Sequence, residues 1–279
     1  MLFGDGTPEA PLASATVVLL RDGPRGLEVF MLRRHGLSDV LGGAYVFPGG
    51  KVDRQDAASA ARLDRPLDAL CDALGEPALT ADEAASLHVA AIREVFEESG
   101  VLFAEGVQDA RQDRTFAQLI SSPSVRLLAS RLVPWSRWIT PRASFRARKH
   151  FDARFFVALL PSGEQAVHDE HETTESTWVS PREALQDYWA RRVDLPPPQI
   201  MTLVQLARHD SAASVLAQAR GRTPPVVQPE ATEEDGARLV CYPGDALHPS
   251  AVRVLPGPTR LYWRTDRYEP AGGVEDFFR

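Results

Sequence analysis

Two cysteines in 279 residues, Cys71 and Cys241, are too few for a disulfide framework and lack the paired spacing of a zinc site. They read as reduced thiols. The chain also lacks an excess of positive charge: 38 acidic residues against 31 basic ones leave a formal charge of −7, which argues against a nucleic-acid binder. No apolar run approaches the ~20 residues of a membrane span. Val17 to Leu20 is also too short for the core of a secretory signal, and no basic segment precedes it. The ending Asp276-Phe277-Phe278-Arg279 is not a Ser-Lys-Leu type of peroxisomal address. The expectation is a cytoplasmic protein without nucleic-acid or membrane partners, with a homodimer left open. What is abundant is apolar content, 44%, enough for a large core in one elaborated domain or two.

The most informative run is A-I-R-E-V-F-E-E-S-G-V, residues 91–101. At 100° per residue, Glu94, Glu97 and Glu98 share a sector about 100° wide, while Val89, Ile92 and Phe96 gather opposite. Like charges at this spacing, in a last helical turn, disfavour the bare helix by about 1–2 kcal/mol. A divalent cation reverses the sign of both terms, and hard carboxylate oxygens on neighbouring turns suit Mg²⁺. A solvated acidic face is the alternative. Upstream, G-A-Y-V-F-P-G-G-K-V-D, residues 43–53, reads as strand, turn, strand. Pro48 fixes φ, Gly49 and Gly50 permit close backbone approach, and Lys51 adds a cation.

Together, P-G-G-K-V-D and R-E-V-F-E-E-S-G-V resemble the signature of the Nudix hydrolases, G-x5-E-x7-R-E-U-x-E-E-x-G-U with U aliphatic. Gly50 and Arg93 are 43 positions apart where the family has 14, which implies an insertion of about 29 residues. Counting back eight from Arg93 gives Ala85, so the first signature glutamate reads as lost, with Glu83 and Glu76 the nearest substitutes. The subgroup similar to peroxisomal coenzyme A diphosphatases carries an insertion at this place. It also resembles this chain at W-I-T-P (138–141), F-D-A-R-F-F-V-A (151–158) and L-P-P-P-Q (195–199).

The resemblance implies an α/β fold, a Nudix α/β/α sandwich with a mixed sheet, an insertion at about 54–85 and a C-terminal extension at about 196–279. It implies Glu94, Glu97 and Glu98 as Mg²⁺ or Mn²⁺ ligands, with the carbonyl of Gly49 or Gly50 as a further one. Arg93, four before Glu97, is expected to orient that carboxylate. Glu175, three before Trp178, is the expected general base, with Glu172 in reserve. His168 and His171 in the same loop lack a partner pattern for zinc. Arg33 and Arg34, Lys51, and the cluster Arg142, Arg146, Arg148 and Lys149 are candidates for gripping substrate phosphates. Coenzyme A or an acyl derivative is the leading substrate; ADP-ribose, a dinucleotide, a nucleoside triphosphate, or a non-catalytic ligand sensor remain alternatives. The separate upstream signature of bacterial coenzyme A hydrolases is poorly matched by L-R-R-H-G-L-S-D-V-L.

Local patterning predicts a hairpin from 15–20 and 28–33, a strand at 44–47, and short helices over 54–85 that form either a lid or a brace. Helices are expected at 86–99, at 115–129 with a break at Pro123, from Pro181, and as one long element over 199–219. Strands are expected near 135–140, 151–160, 177–180, 238–242 and 260–264, with 221–236 as an exposed linker.

Overall fold

The structure is a computed structural model that describes residues 10–35, 42–107, 114–141, 149–169 and 173–279. Its centre is a strand with no polar face. In β1 (Leu12–Gly23) Ala15, Val17 and Leu19 point into one apolar core while Val18 and Leu20 point into another, so the sheet is covered on both sides. β1 turns back through Pro24 and Arg25 into β2 (Gly26–Arg34), the expected hairpin with longer strands. β3 (Tyr45–Val46) pairs with β2, and β4 (Gly49–Lys51) crosses to pair with Ser14–Thr16 of β1.

α1 (Arg54–Ala58), which carries Asp56, comes next, and the insertion follows it as a 3₁₀ turn at Ala60–Arg62 and α2 (Leu67–Leu74). Leu70 and Leu74 of α2 enter the core shared with the next helix. That helix, α3 (Ala81–Ser99), starts five residues before the expected 86. Thr80 accepts from the Glu83 amide and the Glu83 carboxylate accepts from the Thr80 amide, a reciprocal cap. The insertion is a brace: Glu76 accepts from Arg154 at 2.6 and 3.0 Å and from Arg137 at 2.9 Å, tying the α2–α3 turn to the sheet.

A short pair, β5 (Ala104–Glu105) and β6 (Arg126–Leu127), flanks α4 (Phe116–Leu119). The helix expected over 115–129 is therefore a single turn, because Pro123 and three serines end it and the chain is drawn into β6. β7 (Val133–Ile139) and β8 (Phe151–Leu159) complete the main sheet. β8 runs parallel to β1 and antiparallel to β7, which makes the sheet mixed. β9 (Thr173–Val179) pairs with β2, and α5 (Pro181–Trp189) begins at a Ser180 cap with proline in its first turn.

The long helix expected over 199–219 is two helices, α6 (Pro197–Leu206) and α7 (Ala212–Arg220). The break has a local cause: Ser211 caps α7 through the Ser214 amide, Asp22 accepts from the Ala212 amide, and the Asp210 carbonyl accepts from Leu27. The region read as a linker is also structured. β10 (Val226–Val227) pairs with β7, and β11 (Glu230–Glu234) opens an antiparallel sheet with β12 (Ala237–Cys241), β13 (Arg260–Arg264) and β14 (Arg267–Glu269). Its acidic character misled because Glu234 is bound by Arg260. Val240, Tyr242, Leu261 and Phe277 from this region join the core under α5, α6 and α7. Helix α3 on one sheet face and α5–α7 on the other make an α/β/α sandwich. Among the described residues no helix is long and apolar enough to cross a membrane.

Candidate active site

The site forms where β4 meets the last two turns of α3. The Gly49 amide donates to Glu98 Oε2 at 2.8 Å, and Glu98 is 5% exposed. A Cβ on Gly50 would stand 2.3 Å from Glu94 Oε1, and one on Gly49 would stand 2.5 Å from the Ala15 carbonyl. Both glycines are therefore required by close approach, to a carboxylate on one side and to β1 on the other. Helix α3 ends at Gly100, whose φ of 70° suits glycine, so the carboxylates sit in a last turn that closes cleanly.

Arg93 is the hub. Its Nε and Nη2 donate to the two Asp56 oxygens at 2.9 and 3.0 Å, Nη1 donates to Glu94 at 2.7 Å and to Glu97 at 3.1 Å, and Nη2 also reaches the Lys51 carbonyl at 2.9 Å. Burial alone would lower its pKa, but the bonds to Asp56 and the charges of Glu94 and Asp56 outweigh it and raise it. Arg93 thus bonds Glu97 and also ties Asp56 of α1, the glycine turn and the helix together.

Asp56 corrects the reading that the first signature acid is lost. It is 2% exposed, accepts from the Asp53 amide at 2.7 Å, and meets Arg93 through both oxygens. It stands six positions after Gly50, the place of the signature's first glutamate. Counting back from Arg93 misses it because the insertion lies between Asp56 and Arg93. Glu83 and Glu76, the expected substitutes, are occupied elsewhere, in the α3 cap and in the Arg137–Arg154 brace.

Glu94, Glu97 and Glu98 carry hard-oxygen donors of the kind that suit a divalent cation. Arg93 already balances part of their charge, and among the described residues no three acidic, histidine or cysteine side chains stand as a closed metal cluster. Lys51 contributes its carbonyl, and its side chain points to solvent.

The other candidates lie elsewhere. Glu175 is on β9, opposite Arg33 of β2, and pairs with that arginine at 3.5 Å. Burial, its hydrogen bond with Glu175 and the Glu175 charge push the Tyr45 phenol up to about 12. Tyr45 packs against the α5–α7 core while its neighbour Val46 faces α3. The structure therefore groups Glu175 with Arg33 and Tyr45 and not with the helix carboxylates. Arg33 lines a cleft of about 300 Å³ with Tyr45, Arg191 and Arg192. Arg34 ends β2. Arg142, Arg146, Arg148, His171 and Glu172 lie outside the described residues. The start of the Glu175 loop does reach the helix: the Val167 and Asp169 amides donate to the carbonyls of Ser99 and Glu98. His168 Nδ1 bonds Ser176 Oγ at 3.0 Å within the loop.

Comparison with known proteins bears on this arrangement. The family model of the NUDT19 Nudix domain matches residues 111–206. A nudix hydrolase of Caenorhabditis elegans is 27% identical over 271 residues, covering 88% of this chain and 82% of that protein. Acyl-coenzyme A diphosphatase NUDT19 of Xenopus laevis is 28% identical over 277 residues, covering 80% and 71%. The crystal structure of a NUDIX hydrolase from Alicyclobacillus acidocaldarius matches with a TM-score of 0.61 at 26% identity, over 76% of this chain and 97% of that one. The chain is similar to the Nudix hydrolases in sequence and in fold. The matched segment 111–206 begins beyond Gly100, so the signature-like residues at 50–101 are a separate indication of the same likeness. In Nudix terms the signature is complete in kind: Gly50, an aspartate for the first acid, then Arg93, Glu94, Glu97, Glu98 and Gly100. Nudix hydrolases generally use divalent metal ions, and the retained carboxylates agree with that.

Proposed function

We propose that this Nudix hydrolase cleaves the diphosphate bond of coenzyme A or an acyl-coenzyme A with Mg²⁺ or Mn²⁺, giving adenosine 3′,5′-bisphosphate and a 4′-phosphopantetheine product. The observation that carries the reading is the Arg93–Asp56 clamp, which holds Glu94 beside the glycine turn while the Gly49 amide holds Glu98. The substrate class follows the Xenopus relative's named activity.

A diphosphate shields its phosphorus with negative oxygens, so hydrolysis needs charge neutralisation and a water held in line. Glu94, Glu97 and Glu98 would hold the divalent cation, which supplies that neutralisation and a more acidic water. Arg93 fixes the first two carboxylates, and the Gly49 amide fixes the third. The water proton is assigned to a carboxylate of the helix, because Glu175 stands with Arg33 and Tyr45 away from it. Arg33, with Arg34, Lys51 and Arg148, is assigned to the substrate's anionic groups. We also place the enzyme in the cytoplasm, consistent with the free thiols of Cys71 and Cys241; a fluorescent fusion found in another compartment would overturn that.

The test is a panel: coenzyme A, acetyl-coenzyme A, ADP-ribose, a dinucleotide and a nucleoside triphosphate, each with Mg²⁺ or Mn²⁺ and read by chromatography. Preference for the coenzyme A pair supports the proposal. Preference for ADP-ribose or a triphosphate moves the substrate within the family, and no turnover of any member would favour a ligand sensor.

A further inference from the structure

A second cavity, of about 530 Å³, lies where the insertion meets the C-terminal extension. Its walls come from α2, the middle of α3, the start of β7 and the residues after α7. It is separate from the diphosphate site. From β7 through β8 and β1 to β4 is three strand spacings, about 14 Å.

Three arginines converge on it: Arg65, Arg220 and Arg222. None of them forms an ion pair within the described residues. By contrast, Arg93, Arg137, Arg154, Arg260 and Arg267 each have at least one carboxylate partner. Arg222 is half-buried and lies over the Trp135 ring at 4.3 Å, with Nη2 donating to the Trp135 carbonyl at 3.2 Å. Its Nε is buried without any hydrogen-bond partner. Burial alone shifts the Arg222 pKa, downward, with no carboxylate opposing it.

An orphaned donor on an unpaired, half-buried guanidinium is costly unless an anion completes it. The acids nearby do not. Asp64 spends its oxygens on the amide and hydroxyl of Ser130, and Asp72, the acid on the lining, is on the exposed side of α2. His88, also on the lining, is neutral because burial pushes its pKa down to about 4. Leu70, Leu132 and Pro134 give the remaining lining an apolar part, with Ser130 and Thr223 beside it. A cavity of this size with an apolar floor and a few convergent polar groups has the make-up of a small-molecule site.

We propose that this cavity binds a small organic anion, an oxyanion carried on a short apolar body, gripped by Arg222 with Arg65 and Arg220 at the rim. The oxyanion chemistry is shared by a carboxylate and a phosphate monoester. The proposal is independent of the diphosphatase reading, since binding is read without substrate.

The experiment is titration calorimetry of the full chain with hexanoate, hexyl phosphate and inorganic phosphate. Saturable binding of at least one hexyl compound is expected, at least tenfold tighter than inorganic phosphate. Arg222→Met should weaken it tenfold or more. Should Arg222→Met fail to fold, the double variant Arg65→Ser with Arg220→Ser, both exposed, decides: severalfold weaker binding supports the site, and wild-type affinity overturns it. Absence of saturable binding to the wild type also overturns it. Inorganic phosphate binding as tightly as hexyl phosphate would mean an adventitious ion only.

Discussion

At the scale of single residues, two buried ionisable groups make the sharpest predictions. Asp56 meets Arg93 through both of its oxygens. Asp56→Asn leaves the guanidinium with Glu94, Glu97 and the more distant Asp53, and should cost about 3 kcal/mol, or roughly 6–12 °C in Tm. Thermal unfolding by circular dichroism checks this, and an unchanged Tm would remove the clamp from the account. His88 is held neutral in the fold, its pKa lowered to about 4 by burial against an ordinary 6.5. Between those values the unfolded chain takes up a proton that the native state refuses, so stability is intact above pH 6.5 and falls as the pH drops. At pH 5 the loss is about 2 kcal/mol from this group. Urea midpoints at pH 7 and pH 5 should differ by less in His88→Leu than in the wild type; equal differences would show that other groups set the acid sensitivity.

Among the secondary-structure elements, the insertion is a structural member. Glu76 binds two arginines of the central sheet, Arg137 and Arg154, which Asp152 also bridges. Glu76→Gln should cost about 2–4 kcal/mol and should speed amide exchange across Leu67–Leu74. Unchanged protection there would return the insertion to the role of a loose lid. How much was legible in the sequence divides along the same line. β1, β2, α3, α5 and β8 were legible because a period of two or 3.6 continues for several residues and a cap or glycine marks the end. The break between α6 and α7 was missed, although Asp210-Ser211 is a capping signal, because apolar residues continue on both sides of it. Glu230–Glu234 was missed as a strand because its charges are neutralised by arginines that follow in the sequence. In the site, Glu94, Glu97, Glu98 and Arg93 were legible from helical geometry. Asp56 was hidden by an insertion that separates it from its partner, and only the fold reunites them.

On the scale of the whole molecule, Asp56, Arg93 and the strand β4 hold one acidic helix end against one glycine turn. The acids there repel one another, and Arg93 supplies a fixed positive charge from the protein side. A divalent cation should therefore stabilise the fold. Mg²⁺ or Mn²⁺ at millimolar concentration is expected to raise Tm by a few degrees, and Glu97→Gln is expected to shrink that rise. A Tm indifferent to metal would count against binding at this place.

The central claim is that the Glu94–Glu97–Glu98 face performs metal-dependent diphosphate hydrolysis. It is tested most directly by incubating coenzyme A with wild type and with a folded Glu98→Gln variant, over a Mg²⁺ titration, and measuring adenosine 3′,5′-bisphosphate and 4′-phosphopantetheine. The account predicts equal amounts of both products, a rate that vanishes without metal, and a loss of about a hundredfold or more in the variant. Cleavage that survives metal removal, or a Glu98→Gln protein as active as wild type, would contradict it.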